Sequence, residues 1–277
     1  MDPVEIVDRL KLLIVDNPNF DDFRRSIDQQ DLNSIFRFVN DNNKEDFRKV
    51  VVEQNHYSLI RLLKTFTSSR IIEVFDMILK NEHMDPDCMS RSQIRCKKWL
   101  VEEVAKHNID LGTVFLCAGW YGILAMMIFE SNIRLTKIRN FDIDENCKSI
   151  AEKVNLPWIM DDWKYKHCVQ DIHQINYDTH VYNVIRGDGS VCELTDSPDT
   201  IINTSCEHIK NFTNWYQSIP DGKFVILQTN NYVELAEHIN CVENVEQFLQ
   251  QTPMTKRLYQ GQLETPKYTR FMTFGYK

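Results

Sequence analysis

The stretch from Val114 to Asp144, VFLCAGWYGILAMMIFESNIRLTKIRNFDID, constrains this chain more than any other. It opens on a short apolar run, Val114-Phe115-Leu116-Cys117-Ala118, with the length and the β-branched and aromatic bias of a buried strand. Gly119 and Gly122 then bracket Trp120 and Tyr121, and an apolar run of helical length leads on from Ile123 to Phe129. A second strand candidate, Lys137 to Phe141, ends at Asp142. Strand, glycine turn, helix and a second strand closing on an acid make the first half of a nucleotide-binding βαβ unit.

The C-terminal half of the chain extends that unit. Glu145 to Val154 reads as a helix stopped by Asn155-Leu156-Pro157-Trp158, and Lys166 to Ile172 as a third strand carrying Asp171 near its end. Val181–Ile185 and Val191–Leu194 flank Gly187-Asp188-Gly189 as a hairpin. Asp199 to Ser205 is the fourth core strand and Ile209 to Ile219 a helix. Gly222 to Thr229 is the fifth strand and Val245 to Gln250 a helix, before a closing antiparallel pair at Lys256–Gly261 and Lys267–Tyr276. The alternation predicts an α/β fold: a mostly parallel, Rossmann-like sheet between helices, with a terminal antiparallel hairpin.

The N-terminal third has a different pattern. Residues 1 to 83 read as half a dozen short helices, and a polar junction from Glu82 to Ser92 leads into a helix over Gln93–Lys106. The expected division is an all-α subdomain at 1–89 and an α/β domain at 90–277.

Composition narrows the partners. The net charge is −8 and no dense Lys/Arg run exists, which disfavours a nucleic-acid partner without ruling one out. The nearest basic cluster, Arg91 to Lys98, suits a local anion site or a solvated helix face. The 8 Cys are scattered, with no CxxC pair and no Cys/His group at zinc spacing, so no metal is expected. The N-terminal MDPVEIVDRL has no signal-peptide character and the longest apolar run is too short for a membrane span. A cytoplasmic protein without a membrane partner is expected, and a homo-oligomer is compatible with the sequence.

In a sheet of this kind, ligands sit outside the carboxyl ends of the strands. Gly119-Trp120-Tyr121-Gly122 permits close backbone approach, Asp142 suits a ribose diol, and Asp171 suits an exocyclic amine. Asn203-Thr204-Ser205-Cys206-Glu207-His208 is the most polar concentration in the core. There Glu207 and His208 suit a general base or an orienting group, and Asn203 and Ser205 suit acceptor binding. Gln228, Asn230, Asn231 and Tyr232 form a second polar group after the fifth strand. Gln93 and Lys97, in the first turns of their helix, suit a carboxylate.

On these residues, the region from about Gln93 to the C-terminus resembles the class I S-adenosylmethionine-dependent methyltransferases. The resemblance implies a seven-stranded sheet closed by an antiparallel hairpin. It also implies that Gly119 and Gly122 lie against the methionine and ribose parts of S-adenosyl-L-methionine, with Trp120 and Tyr121 as cofactor wall or substrate pocket. Asp142 would bind the ribose hydroxyls, Ile143 would pack on the adenine, and Asp171 with Ile172 would hold its amine. The chain departs from the pattern at Cys117, where an acid is common, and at the bulky Trp120 and Tyr121. The GxGxxG of NAD enzymes is absent, as is the (D/N)PP(Y/F) motif of amino-methylating nucleic-acid enzymes. The expected activity is methyl transfer to a small or polar acceptor. The alternatives are an enzyme that consumes the same cofactor by cyclisation, lyase chemistry or aminocarboxypropyl transfer, and a nucleic-acid-associated methyltransferase-like module.

Overall fold

The computed structural model of the chain describes residues 84 to 186 and 189 to 277, together with Arg70, Glu73, Val74 and Met77. Chain contacts divide it into two units, Met1–Pro86 and Asp87–Lys277. The helices expected over residues 1 to 83 lie almost wholly outside the described residues, as do Gly187 and Asp188 of the hairpin turn.

The second unit begins with helix α1 (Arg91–Lys106), whose N-cap Ser90 accepts a hydrogen bond from Gln93 N. Strand β1 (Thr113–Cys117) is buried along its whole length and leads to α2 (Ile123–Phe129) and β2 (Lys137–Asp142). Next come α3 (Asn146–Val154), α4 (Leu156–Met160), β3 (Tyr165–Val169), and the antiparallel pair β4 (His180–Ile185) and β5 (Val191–Asp196). The chain then forms β6 (Thr200–Asn203), α5 (Phe212–Ser218), β7 (Phe224–Asn230), α6 (Val245–Gln251), β8 (Lys256–Glu264) and β9 (Thr269–Tyr276).

Seven of these strands form one sheet in the order β3-β2-β1-β6-β7-β9-β8. The first five run parallel; β9 is antiparallel to β7, and β8 antiparallel to β9. This is the sheet that the resemblance implied. Side chains alternate between two cores. Phe115, Phe141, Ile201, Leu227 and Phe271 pack with Tyr177, Trp215 and Phe248. Val114, Leu116, Ile138, Ile202 and Phe274 pack with Leu100 and Val104 of α1 and Leu124 and Ile128 of α2. Helices cover both faces, so the inner strands need apolar residues on both sides, and their sequences read as continuous apolar runs.

Four of the boundaries that differ from expectation have a local reason. The third strand ends at Val169 because the Asp171 carboxylate accepts the His173 N–H at 2.9 Å and starts a 3-10 turn. The fourth strand ends at Asn203 because its Oδ1 accepts Ser205 N at 2.8 Å and turns the chain. The next helix starts at Phe212 because Asn211 sits in the left-handed region at φ 51°. Pro157 does not stop helix formation: it lies in the first turn of α4, where its missing N–H is harmless.

The hairpin β4–β5 is outside the main sheet and is held to β2 by charge. Arg139 Nε donates to Asp196 Oδ2 at 2.7 Å, and Tyr182 Oη and Lys137 Nζ contact the same carboxylate. The chain runs outward from β1 to β3 and returns to the other side of β1 at β6. That reversal places a crevice at the carboxyl ends of β1 and β6.

Candidate functional site

The loop after β1 is held from behind. Ala118, Trp120 and Gly122 all have positive φ (51°, 49° and 67°), a conformation costing about 1 kcal/mol or more at the two non-glycine positions. Buried polar groups hold it there. Asn140 Nδ2 donates to the Trp120 carbonyl at 3.2 Å and also meets Tyr165 Oη and His167 Nδ1, each at 2.9 Å. Asn155 Nδ2 donates to the Gly122 carbonyl at 3.1 Å and the Ala151 carbonyl at 3.0 Å. These neighbours explain the glycines. A Cβ at position 119 would lie 1.7 Å from Asn140 Oδ1, and one at 122 would lie 2.5 Å from Tyr165 Oη and 2.6 Å from Asn155 Nδ2. Trp120 and Tyr121 stack on one another, ring centroids 4.7 Å apart.

Asp142 faces this loop from the next strand. Its Oδ2 accepts Trp120 N at 2.7 Å and its Oδ1 accepts Asp144 N at 3.1 Å. Burial raises its pKa above the ordinary aspartate value, while the backbone N–H donors act to lower it. A carboxylate offers about four acceptor positions, so capacity remains on both oxygens. Ile143, next along, is 73% exposed although apolar. Asp171 lies two residues beyond the end of β3, with Oδ1 committed to His173 N. Ile172 is different: its side chain is in the core and its carbonyl accepts Tyr177 Oη at 2.8 Å, which leaves its backbone N–H, a donor suited to a ring nitrogen and not to an amine. Cys117, at the end of β1, is buried, contacts Tyr177 Oη at 3.5 Å, and has its thiol pKa pushed up to about 12 by burial.

On the other side of β1 the polar segment is tightly organised. Glu207 is 2% exposed, and its Oε1 accepts Asn230 Nδ2 at 2.6 Å and Arg270 Nη1 at 2.7 Å. Arg270, 3% exposed, also donates to the Thr204 carbonyl at 3.1 Å. Asn203 Nδ2, Glu207 Oε2 and Arg270 Nε are buried without a partner among the described residues. Buried polar atoms are ordinarily satisfied, so three left open around the Glu207–Arg270 pair mark a place built to receive a polar group. Ser205 is half-buried beside them and His208 is exposed. Of the second polar group, Gln228 donates to the Cys96 carbonyl at 3.2 Å, Asn230 serves Glu207, and Asn231 accepts Thr269 N at 2.8 Å. These residues build the floor of the site.

Lys97 approaches the Glu207–Arg270 pair from α1. Its Nζ donates to Gln93 Oε1 at 2.5 Å, and its pKa falls to about 8, first through burial and then through the charge of Arg270. The first turns of α1 therefore sit beside the Glu207–Arg270 pair. Sequence reasoning missed Asn140, Asn155, Tyr165, Arg270 and His238. None carries a motif, though an Arg at the head of the apolar strand β9 is a signal that it needs an internal partner.

Comparisons with protein-family models and with curated protein sequences give no match. Solved structures do. The N-methyltransferase NodS from Bradyrhizobium japonicum WM9, in complex with S-adenosyl-L-homocysteine, aligns over 76% of this chain and 99% of its own, with a TM-score of 0.50 at 9% identity. The magnesium protoporphyrin IX methyltransferase ChlM from Synechocystis PCC 6803 aligns over 75% and 89%, with a TM-score of 0.47 at 11% identity. Over the aligned part, the chain thus has the methyltransferase fold.

Proposed function

We propose that the chain binds S-adenosyl-L-methionine at the β1–β2–β3 ends and transfers its methyl group to a small or polar acceptor held at the β6 and β7 ends. The observation that carries the reading is Asp142: an acid at the second strand end, fixed against the loop backbone through Trp120 N, with acceptor capacity left for a diol. Exposed Ile143 offers an apolar surface beside it, and Asp171 keeps Oδ2 uncommitted among the described residues. The donor set fits the group. S-Adenosyl-L-methionine, when bound, supplies an electrophilic methyl on a sulfonium.

This chain's own residues would then bind and orient. Asp142 would take the ribose hydroxyls, Asp171 the adenine amine, the Ile172 N–H a ring nitrogen of the adenine, and Gln93 and Lys97 the methionine carboxylate. Gly119 to Gly122 would form the wall, where the aromatic faces of Trp120 and Tyr121 favour a neighbouring cation. Asn203 and Ser205 would position the acceptor, with Glu207 fixed in place by its ion pair with Arg270 and exposed His208 available as a base. Positioning alone can supply much of the rate in such a reaction. The net charge of −8 favours a small acceptor over a polyanion.

Calorimetry with S-adenosyl-L-homocysteine tests the binding. Asp142→Ala should abolish it, and unchanged affinity would refute the ribose assignment. Incubation with S-adenosyl-L-methionine alone then separates methyl transfer, which leaves the cofactor largely intact without an acceptor, from cyclase or lyase chemistry, which consumes it.

A further inference from the structure

His238 lies in the segment between β7 and α6, far along the chain from Glu207 and His208, yet the three side chains converge. One carboxylate oxygen of Glu207 and one ring nitrogen of each histidine lie within 4.8 Å of one another. The His208 and His238 rings meet edge to face, with centroids 4.5 Å apart and planes at 88°. The backbone is latched to make this happen. Asn240 N donates to the Glu207 carbonyl at 2.9 Å, and Asn240 Nδ2 to the Cys206 carbonyl at 3.2 Å.

Two of the three groups are also in the condition a metal ligand requires. His238 Nδ1 lies 2.6 Å from the Tyr232 carbonyl, so it carries the proton and Nε2 presents its lone pair. A ring nitrogen donating to a backbone carbonyl while the other ligates is the usual outer support of a metal-bound histidine. Glu207 Oε1 is used by Arg270 and Asn230, and the other oxygen, Oε2, is buried without a partner among the described residues. A buried carboxylate oxygen left open costs free energy unless something meets it.

We propose that Glu207, His208 and His238 form a binding site for one divalent transition-metal ion. Two imidazoles and one carboxylate suit the borderline ions from iron to zinc better than magnesium or calcium, which prefer all-oxygen sets. Three protein ligands, one side exposed at His208, leave coordination positions for water or for an oxygen of a small molecule. The site stands one strand away from the β1 loop, on the acceptor side of the crevice, and holds whether or not the chain transfers methyl groups.

The test uses the full chain, stripped with a chelator and titrated with Co²⁺, whose visible absorption reports nitrogen and oxygen ligation. Wild type should bind one equivalent saturably. His208→Ala and His238→Ala should each weaken binding tenfold or more while thermal melts stay within a few degrees of wild type, because neither change strands a buried charge. Absence of saturable Co²⁺ binding in wild type, or equal affinity in both histidine variants and wild type, would overturn the proposal. Affinity for S-adenosyl-L-homocysteine, measured on the stripped protein, reports separately on the cofactor site.

Discussion

Glu207 and Arg270 are brought together 2.7 Å apart, both nearly without solvent access, from strand ends that are separated in the sheet by β7. A buried pair of this kind adds little net stability over apolar residues of the same shape, but losing one member strands the other. Arg270→Met should therefore cost about 3–5 kcal/mol by urea denaturation. The double variant Glu207→Leu/Arg270→Met should recover most of that. Equal destabilisation in the single and double variants would show that packing, and not charge, is what Arg270 contributes.

Gly119→Ala should be severely destabilising, because its Cβ would overlap Asn140 Oδ1. Shortening the obstacle relieves the clash, so the same change in an Asn140→Ala background should cost clearly less. A double-mutant cycle on melting temperature reads the coupling. Additive effects would mean that the glycine serves the front of the loop instead.

His167 gives the domain an acid-sensitive core. Its Nδ1 accepts from Asn140 and its buried Nε2 has no partner among the described residues. Burial, then the charge of Lys148, lowers its pKa from 6.5 to about 4. Between those values the unfolded chain holds a proton that the folded one does not, so stability falls as pH drops from 6.5 toward 4. From pH 7.5 to pH 5 this one group should remove about 2 kcal/mol. His167→Gln should flatten that part of the pH profile, and an unchanged slope would assign the acid sensitivity elsewhere.

Lys97 bears on the cofactor reading. With an ammonium pKa near 8, it loses its charge over the mildly alkaline range. Affinity for S-adenosyl-L-homocysteine should fall between pH 7 and pH 9.5, with proton uptake on binding near pH 8.5 in calorimetry. Lys97→Met should bind more weakly at pH 7 and show neither effect.

The sheet is legible in the sequence because β1, β6 and β7 are buried on both faces and so read as apolar runs, and because their connections are helical. The proposed cofactor side rests on a related reason: Asp142 closes β2 and Asp171 follows β3, and strand ends are where such sheets bind. The boundaries that differ, at Asp171 and Asn203, are places where a side chain caps the local backbone, and periodicity does not register one hydrogen bond. The acceptor side is only half visible. Glu207 and His208 are adjacent in sequence, but Arg270 and His238 reach them through β9 and through the loop latched by Asn240, and no spacing rule connects such positions. The glycine loop stands out in the sequence as a place for ligand approach, whereas in the structure its glycines make room for Asn140, Tyr165 and Asn155.

That locked loop has a consequence for how the molecule can change. Residues 118 to 122 are fixed by partners on two neighbouring strands and the end of α3, so a new ligand preference cannot arise there without rebuilding the interior. The rim beyond the β6 and β7 ends is the reverse. Ser205, His208 and the segment carrying His238 sit at the rim, where substitutions leave the sheet intact. Anyone wishing to give this protein a new ligand preference would keep the first half as a chassis and diversify the second.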